Sequence, residues 1–333
     1  MRKKIVVVGS INLDLVASVQ RMPVSGETIT GQAFSTYPGG KGANQAVAAA
    51  KLGGNVVMIG RLGEDVFAPQ LLDALASVGI ATHCVENVAG PSGSAVIMVT
   101  PEGNNSIVVI PGANDALQPE QLDLYFDELR SASLILSQLE IPLPTVERLA
   151  HLAAEFGVPF MLDPAPARGL PQSLLQNVTW LTPNESETQI LLQHLGGGES
   201  IQPEAAAKYL LNTGIRNVIL KRGSKGVFLS GSDVPSTYLP SFRVKAVDTT
   251  AAGDAFNGGF AYALTEGMKP FEAARFANAV AAISVTQVGA QPSMPVLLAV
   301  ETMLSNLAKS GSEERIEGLF GSCGGEVADR KPS

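Results

Sequence analysis

The chain is 333 residues long, 45% hydrophobic and 16% charged, with 23 Lys+Arg against 31 Asp+Glu and a formal net charge of −8. That much apolar material excludes a wholly disordered chain, and the length allows one large domain or two ordinary ones. The acidic balance argues against wrapping nucleic acid or coating an anionic membrane, so any anion must be met by a few local donors.

Two cysteines, Cys84 and Cys323, are too few for a disulfide framework or a Cys-based zinc site, and His83, His151 and His194 are scattered. The basic start leads into an apolar run of only Ile5–Val8 before Asn12 and Asp14. This suits a buried first strand better than a secretory leader. No apolar run approaches a membrane span, and a reducing cytoplasm is the expected compartment.

In chain order, Ile5–Val8 predicts a central strand ending at Gly9-Ser10, and Asn44–Leu52 an Ala-rich helix broken by Gly53-Gly54. A strand follows at Val56–Ile59 and a helix at Pro69–Val78. Leu134–Leu136, Phe160–Leu162, Val178–Leu181 and Asn217–Lys221 predict strands; Pro144–Phe156, Glu185–Leu195, Pro203–Leu211, Gly253–Thr265 and Pro270–Thr286 predict helices. The alternation implies an α/β fold, a mostly parallel sheet covered by helices on both faces. Asp14–Tyr37 and Ser92–Pro111 break the rhythm. The second reads as a β-hairpin around Pro-Glu-Gly-Asn-Asn, and together they suggest a small β layer rather than long surface loops. The stretch Ser310–Ser333 is expected to stay outside the core.

Five motifs carry possible chemistry. Asp248-Thr-Thr-Ala-Ala-Gly-Asp254 precedes apolar helical sequence. Small residues Ala251, Ala252 and Gly253 let main-chain amides crowd round one point at a helix start, an anion hole for a transferring phosphoryl group. Asp254 there is either a base for a substrate hydroxyl or merely a helix cap. Gly39-Gly40-Lys41-Gly42-Ala43-Asn44-Gln45-Ala46 lacks Walker A spacing, yet its glycines admit a ligand close to the backbone; a plain helix-capping turn is the other reading. Gly9-Ser-Ile-Asn12-Leu-Asp14 is no dinucleotide fingerprint, and it sets two polar side chains at a strand's carboxyl end, as sugar holders or as a simple turn. Thr182-Pro-Asn184-Glu-Ser-Glu187 fits a capping box, and also a holder of hydrated Mg²⁺. Lys221-Arg222-Gly223-Ser224-Lys225-Gly226 is a hairpin turn or a nucleotide lining.

In combination and order these motifs resemble the ribokinase branch of the PfkB carbohydrate kinase family, from Lys4 to about Leu307, with Ala290-Gln-Pro-Ser293 adding to the likeness. The resemblance implies a Rossmann-like three-layer sandwich with a β-sheet lid, and ATP-dependent phosphorylation of the 5-hydroxyl of D-ribose. A sibling activity on deoxyribose, fructose or a nucleoside is the alternative, and a non-catalytic sugar sensor a remoter one. Lid segments would be 14–37 and 92–111, and the kinase domain 1–13, 38–91 and 112–309. By resemblance, Asn12, Asp14, Gly40, Lys41, Gly42, Ala43, Asn44, Glu140 and Asp254 hold the sugar. Asn184, residues 221–226, Gly253 and Asn278 line ATP, and Glu187 organises Mg²⁺. Asp254 is the base. A K⁺ site maps to Asp248, Thr250, Ser284, Gln287, Gly289 and Ser293. Lys221-Arg222 departs from a common Thr and small residue, and Gln287 from a common basic one. Because a strand lid leaves an open edge, a homodimer joined through lid sheets is expected.

Overall fold

Ile5, Val6, Val7 and Val8 are all 0% exposed, because both faces of their strand are covered. Ile5 and Val7 enter one apolar cluster; Val6 and Val8 enter another. The period-2 alternation continues next door, with Val56 and Met58 on one side and Val57 and Ile59 on the other. Each such side chain withdrawn from water contributes roughly 1.5–3 kcal/mol. A strand buried on both faces needs an unbroken apolar run, which this stretch supplies.

The structure, a computed structural model, describes residues 3–198, 202–232 and 234–309. The stretch Ser310–Ser333, with Cys323, lies outside the described residues. Strands are β1 (Lys4–Val8), β2 (Asn12–Ser18), β3 (Ala33–Gly39), β4 (Asn55–Gly63), β5 (Ala81–Val88), β6 (Gly93–Val99), β7 (Asn105–Ile110), β8 (Leu134–Ser137), β9 (Phe160–Leu162), β10 (Trp180–Leu181), β11 (Asn217–Lys221), β12 (Val227–Gly231) and β13 (Thr237–Leu239). Helices are α1 (Lys41–Lys51), α2 (Ala68–Ser77), α3 (Phe126–Arg130), α4 (Leu143–Phe156), α5 (Gln172–Leu175), α6 (Glu185–Leu195), α7 (Pro203–Leu211), α8 (Ala252–Thr265), α9 (Pro270–Ser284) and α10 (Leu297–Lys309).

One sheet runs β13-β12-β11-β10-β9-β8-β1-β4-β5. Pairing from β11 through to β5 is parallel, and β12 and β13 close the other end antiparallel. Helices α1, α2, α8 and α9 pack on one face, and α4, α6 and α7 on the other. This is the expected three-layer α/β arrangement. A second sheet, β3-β2-β6-β7, uses the two segments that broke the helical rhythm, and β6–β7 is the expected hairpin. Five elements lie outside the sequence expectations: strands β5 and β13 and helices α3, α5 and α10. Helix α10 corrects the expectation that helices end near Thr286; Leu297, Val300, Met303 and Leu304 pack it on the α8–α9 side.

The parallel strands end together at Gly9-Ser10, Gln138, Asp163, Thr182 and Lys221, which gathers the polar residues along one rim, where open α/β sheets bind ligands.

Candidate active site

Helix α8 begins with Ala251 at its N-cap, held at φ 57°, the one non-glycine with positive φ among the described residues. Its first turn leaves amides without intrahelical partners. The Ala252 amide is spent on the Thr249 carbonyl, whereas those of Gly253 and Asp254 have no partner among the described residues. A Cβ built on Gly253 would meet only Lys221 Nζ, at 3.4 Å, so that ammonium stands beside the helix start. Asp254 is 5% exposed and does not cap the helix, so the capping reading fails. Its Oδ2 accepts from Asn44 Nδ2 at 3.1 Å and its Oδ1 from Gln45 Nε2 at 2.9 Å. Burial pushes its carboxyl above the ordinary carboxylate range; Lys41 opposes that push, Asp163 adds to it, and the two amides oppose it.

Helix α1 supplies both amides, and two glycines bring it there. Gly40 has φ 87°, and a Cβ on it would lie 2.8 Å from Asn12 N. A Cβ on Gly42 would lie 2.6 Å from Ser10 N. Only glycines let the α1 entrance rest on the β1–β2 connection. There Ser10 Oγ donates to Glu140 Oε2 at 2.6 Å, the Lys41 amide donates to the same oxygen at 3.1 Å, and the Ala43 amide donates to Ser10 O at 2.9 Å. The Lys41 ammonium forms no ion pair within 4 Å among the described residues. Burial lowers its pKa, but Asp254, Asp163, Glu140 and Glu187 together hold it above the ordinary lysine value.

Asp14 lies on β2 with its carboxylate packed against Gly39 and accepts no hydrogen bond among the described residues. Burial first, then Glu140 and Asp254, raise its pKa to about 7. These three acids therefore lie close enough to act on one another. Asn12 is 2% exposed, and its Oδ1 accepts from Asn114 Nδ2 at 2.7 Å. Asn44 Oδ1 is buried without a partner.

Along the far half of the rim, Asn184 and Glu187 form the expected capping box: Glu187 N donates to Asn184 Oδ1 at 2.8 Å, and Asn184 N donates to Glu187 Oε2 at 2.7 Å. Burial raises the Glu187 pKa, and Lys221 opposes it. Residues 221–226 turn β11 into β12, with the Arg222 amide on Gly226 O at 2.8 Å. The Arg222 guanidinium lies over the Tyr238 ring at 5.4 Å and 3.7 Å from Glu185, and Lys225 lies 3.5 Å from Glu185. Asn278 donates to Pro240 O at 3.3 Å. Asp248 accepts from Thr250 N at 2.9 Å, from the Thr250 hydroxyl, and from Gly289 N at 2.8 Å. Burial would raise its pKa, but these donors win and hold it low. The hydroxyls of Ser284 and Ser293 turn back to Ala281 and Ala290 carbonyls, and Gln287 N donates to Ser284 O at 3.2 Å.

Sequence reasoning missed several participants. Gln45 Nε2 also donates to Asp163 Oδ2 at 2.8 Å, and Lys221 Nζ donates to Asp163 Oδ1 at 3.0 Å. Gln138 Nε2 donates to Gln45 Oε1 at 2.8 Å. Asp163 stands at the carboxyl end of a parallel strand, a signal that was available. Nothing local pointed to Gln138 or Asn114.

The chain matches the model of the pfkB family carbohydrate kinases over residues 2–297. It is 41% identical to a Bacillus subtilis ribokinase across 91% of this chain and all of that protein. It is equally 41% identical to a Salmonella typhi deoxyribokinase, across 87% of this chain and 95% of that one. An Arabidopsis thaliana ribokinase complexed with ribose and ATP superposes with a TM-score of 0.85 at 36% identity, covering 91% of this chain and 99% of that one. The chain belongs to the pfkB family of carbohydrate kinases.

Proposed function

We propose that this protein transfers the γ-phosphoryl group of ATP to the 5-hydroxyl of D-ribose, giving ribose 5-phosphate and ADP. The observation that carries the proposal is the meeting of the fixed Asp254 carboxylate with the free amides of Gly253 and Asp254. In this reading Asp254 takes the hydroxyl proton as the oxygen attacks the γ-phosphorus in line and the bond to the ADP oxygen breaks. Negative charge on the phosphoryl oxygens falls on the amides. Asp14 and Asn44 Oδ1 have no hydrogen-bond donor among the described residues and would be the acceptors left for sugar hydroxyls, and Glu140 braces the α1 entrance.

Asn184, the 221–226 turn and Asn278 would line the nucleotide. Mg²⁺ prefers few protein carboxylates and many waters, so a largely hydrated ion carried by the triphosphate would need only Glu187 as its protein-side acid. Bound there, Mg²⁺ would supply charge neutralisation of the phosphates. Asp248 has no cationic side chain paired with it among the described residues and ties two turns together. A K⁺ held by Asp248, Thr250, Ser284, Gln287, Gly289 and Ser293, partly through carbonyls, would balance it.

The β7 strand is exposed throughout, with Ile107 at 53% and Val108 at 61%, and Phe34 on β3 is 67% exposed. These apolar edges support a homodimer joined through the small sheets. No described helix is long and apolar enough to cross a membrane, and a cytoplasmic site of action fits sugar and ATP as substrates.

The deciding experiment is ADP release with ribose, 2-deoxyribose, fructose and adenosine, with and without K⁺. The proposal expects ribose to give the highest kcat/KM and K⁺ to raise it. A deoxyribose preference would move the chain to the sibling activity, which the Salmonella relative keeps in view. No turnover of any of the four compounds would reject the reading.

A further inference from the structure

The Asp163–Lys221 pair is set in an unusual place. Asp163 is 2% exposed at the side chain and Lys221 11%, so both charges are largely withdrawn from water. A buried ion pair of this kind rarely gains stability over an apolar pair of the same size. Here the two residues do not even come from adjacent strands: Asp163 follows β9 and Lys221 ends β11. Strand β10, only two residues long, separates β9 from β11, and the Lys221 side chain reaches across its end to Asp163. That reach brings Nζ to 3.4 Å from where a Gly253 Cβ would stand, at the start of α8 where the Gly253 and Asp254 amides have no partner among the described residues. On its other oxygen Asp163 accepts from Gln45, whose same amide nitrogen holds Asp254. One continuous chain of contacts thus runs from the base, through Gln45 and Asp163, to an ammonium beside the anion hole.

The charge around the cleft gives this ammonium a task. Asp14, Glu140, Asp163, Glu187 and Asp254 act on one another there, and Lys41 and Lys221 are the cations acting on them. A triphosphate entering so acidic a cleft needs each cation it can meet. Resting on the kinase reading above, we propose that the Lys221 ammonium contacts the terminal phosphates of the nucleotide, and that Asp163 is its positioning residue, coupled to Asp254 through Gln45.

The test compares Lys221→Thr, Asp163→Asn and the double variant with wild type, by calorimetric binding of ATP and of AMP, by kcat and KM for each substrate, and by thermal unfolding. Lys221→Thr is expected to weaken ATP about 10–100-fold, as loss of a charged hydrogen bond would, with AMP affinity and sugar KM within about twofold. Lys221→Arg is expected to restore most of the ATP affinity. Asp163→Asn is expected to lower kcat about tenfold while sugar KM holds. The double variant leaves no lone buried charge, so its stability is expected to return to near wild type while ATP affinity and kcat stay low. If the double variant recovers turnover together with stability, or if ATP and AMP weaken alike, the pair is structural and the proposal falls. Should Lys221→Thr fail to fold, the double variant separates the same two outcomes. Absence of wild-type sugar turnover would reject the kinase reading, whereas the ATP-against-AMP comparison would still judge this one.

Discussion

Asp254 and Asp14 are both acids withdrawn from water in one cleft, yet they are treated in opposite ways. Asp254, on the large sheet's rim, has each carboxylate oxygen fastened by an amide from α1. Asp14, on the small sheet, accepts nothing among the described residues and sits at a pKa of about 7. In the proposed reaction a base must be aimed before substrate arrives, and Asp254 already has its partners; a holder of hydroxyls would take its partners from the sugar, and Asp14 has none of its own. On that reading preorganisation lies on the side where bonds would break, and binding energy is left available on the other.

The sharpest way to break that contrast is Asp254→Asn. Loss of the base should lower kcat by about 10²–10⁴-fold, measured as ADP release, while ribose KM changes little because Asp14 is untouched. A comparable fall in ribose affinity would show that the two acids share one task.

Asp14→Asn should do the reverse: ribose KM rises about 10–100-fold through loss of charge-assisted hydrogen bonds, with kcat less affected. The ligand-free protein carries a second signature. A carboxyl raised from 3.8 to about 7 opposes folding once it ionises, so its favourable contribution is complete below pH 4 and lost as pH rises through 7. Asp14→Asn should therefore raise Tm at pH 8, by up to roughly 4 kcal/mol of stability at ~1.4 kcal/mol per pH unit, and by little at pH 4. For the same reason wild-type ribose affinity should fall as pH drops below 7. A Tm gain that ignores pH would contradict the raised value.

Gly40→Ala tests the close approach that seats α1, and with it the two amides on Asp254. Its φ of 87° and a Cβ 2.8 Å from Asn12 N should cost about 2–4 kcal/mol in a denaturant melt. The smallest effect on chemistry belongs to the small sheet's edge. Val108→Lys should shift the light-scattering mass from two chains toward one, with kcat nearly unchanged; an unaltered mass would reject the edge-to-edge dimer.

What the sequence disclosed was local. Ile5–Val8, the glycines at 39–42 and the Asn184/Glu187 spacing each state their geometry within a few residues, because strand burial, tight turns and caps are short-range matters. The chemistry of partnership was not legible. Gln45 meets Asp163 across 118 positions and Asp254 across 209, and Lys221 meets Asp163 across 58. Only the strand order makes these neighbours. Helix α10 is a different omission: Leu297, Val300, Met303 and Leu304 already carry helical spacing, which a motif-led reading passes over. Whether Asp254 caps its helix turned on three residues of helix phase, finer than sequence boundaries allow.

The left-handed alanine at 251 has a consequence for engineering. An L-residue held there costs about 1–2 kcal/mol, and glycine would relieve it. The methyl group, however, narrows the loop's freedom when the chain is unfolded and stiffens the entrance to α8. Ala251→Gly should thus yield a protein of nearly unaltered melting temperature whose entrance breathes more, a trade of crispness for comfort that amide exchange at Gly253 would register.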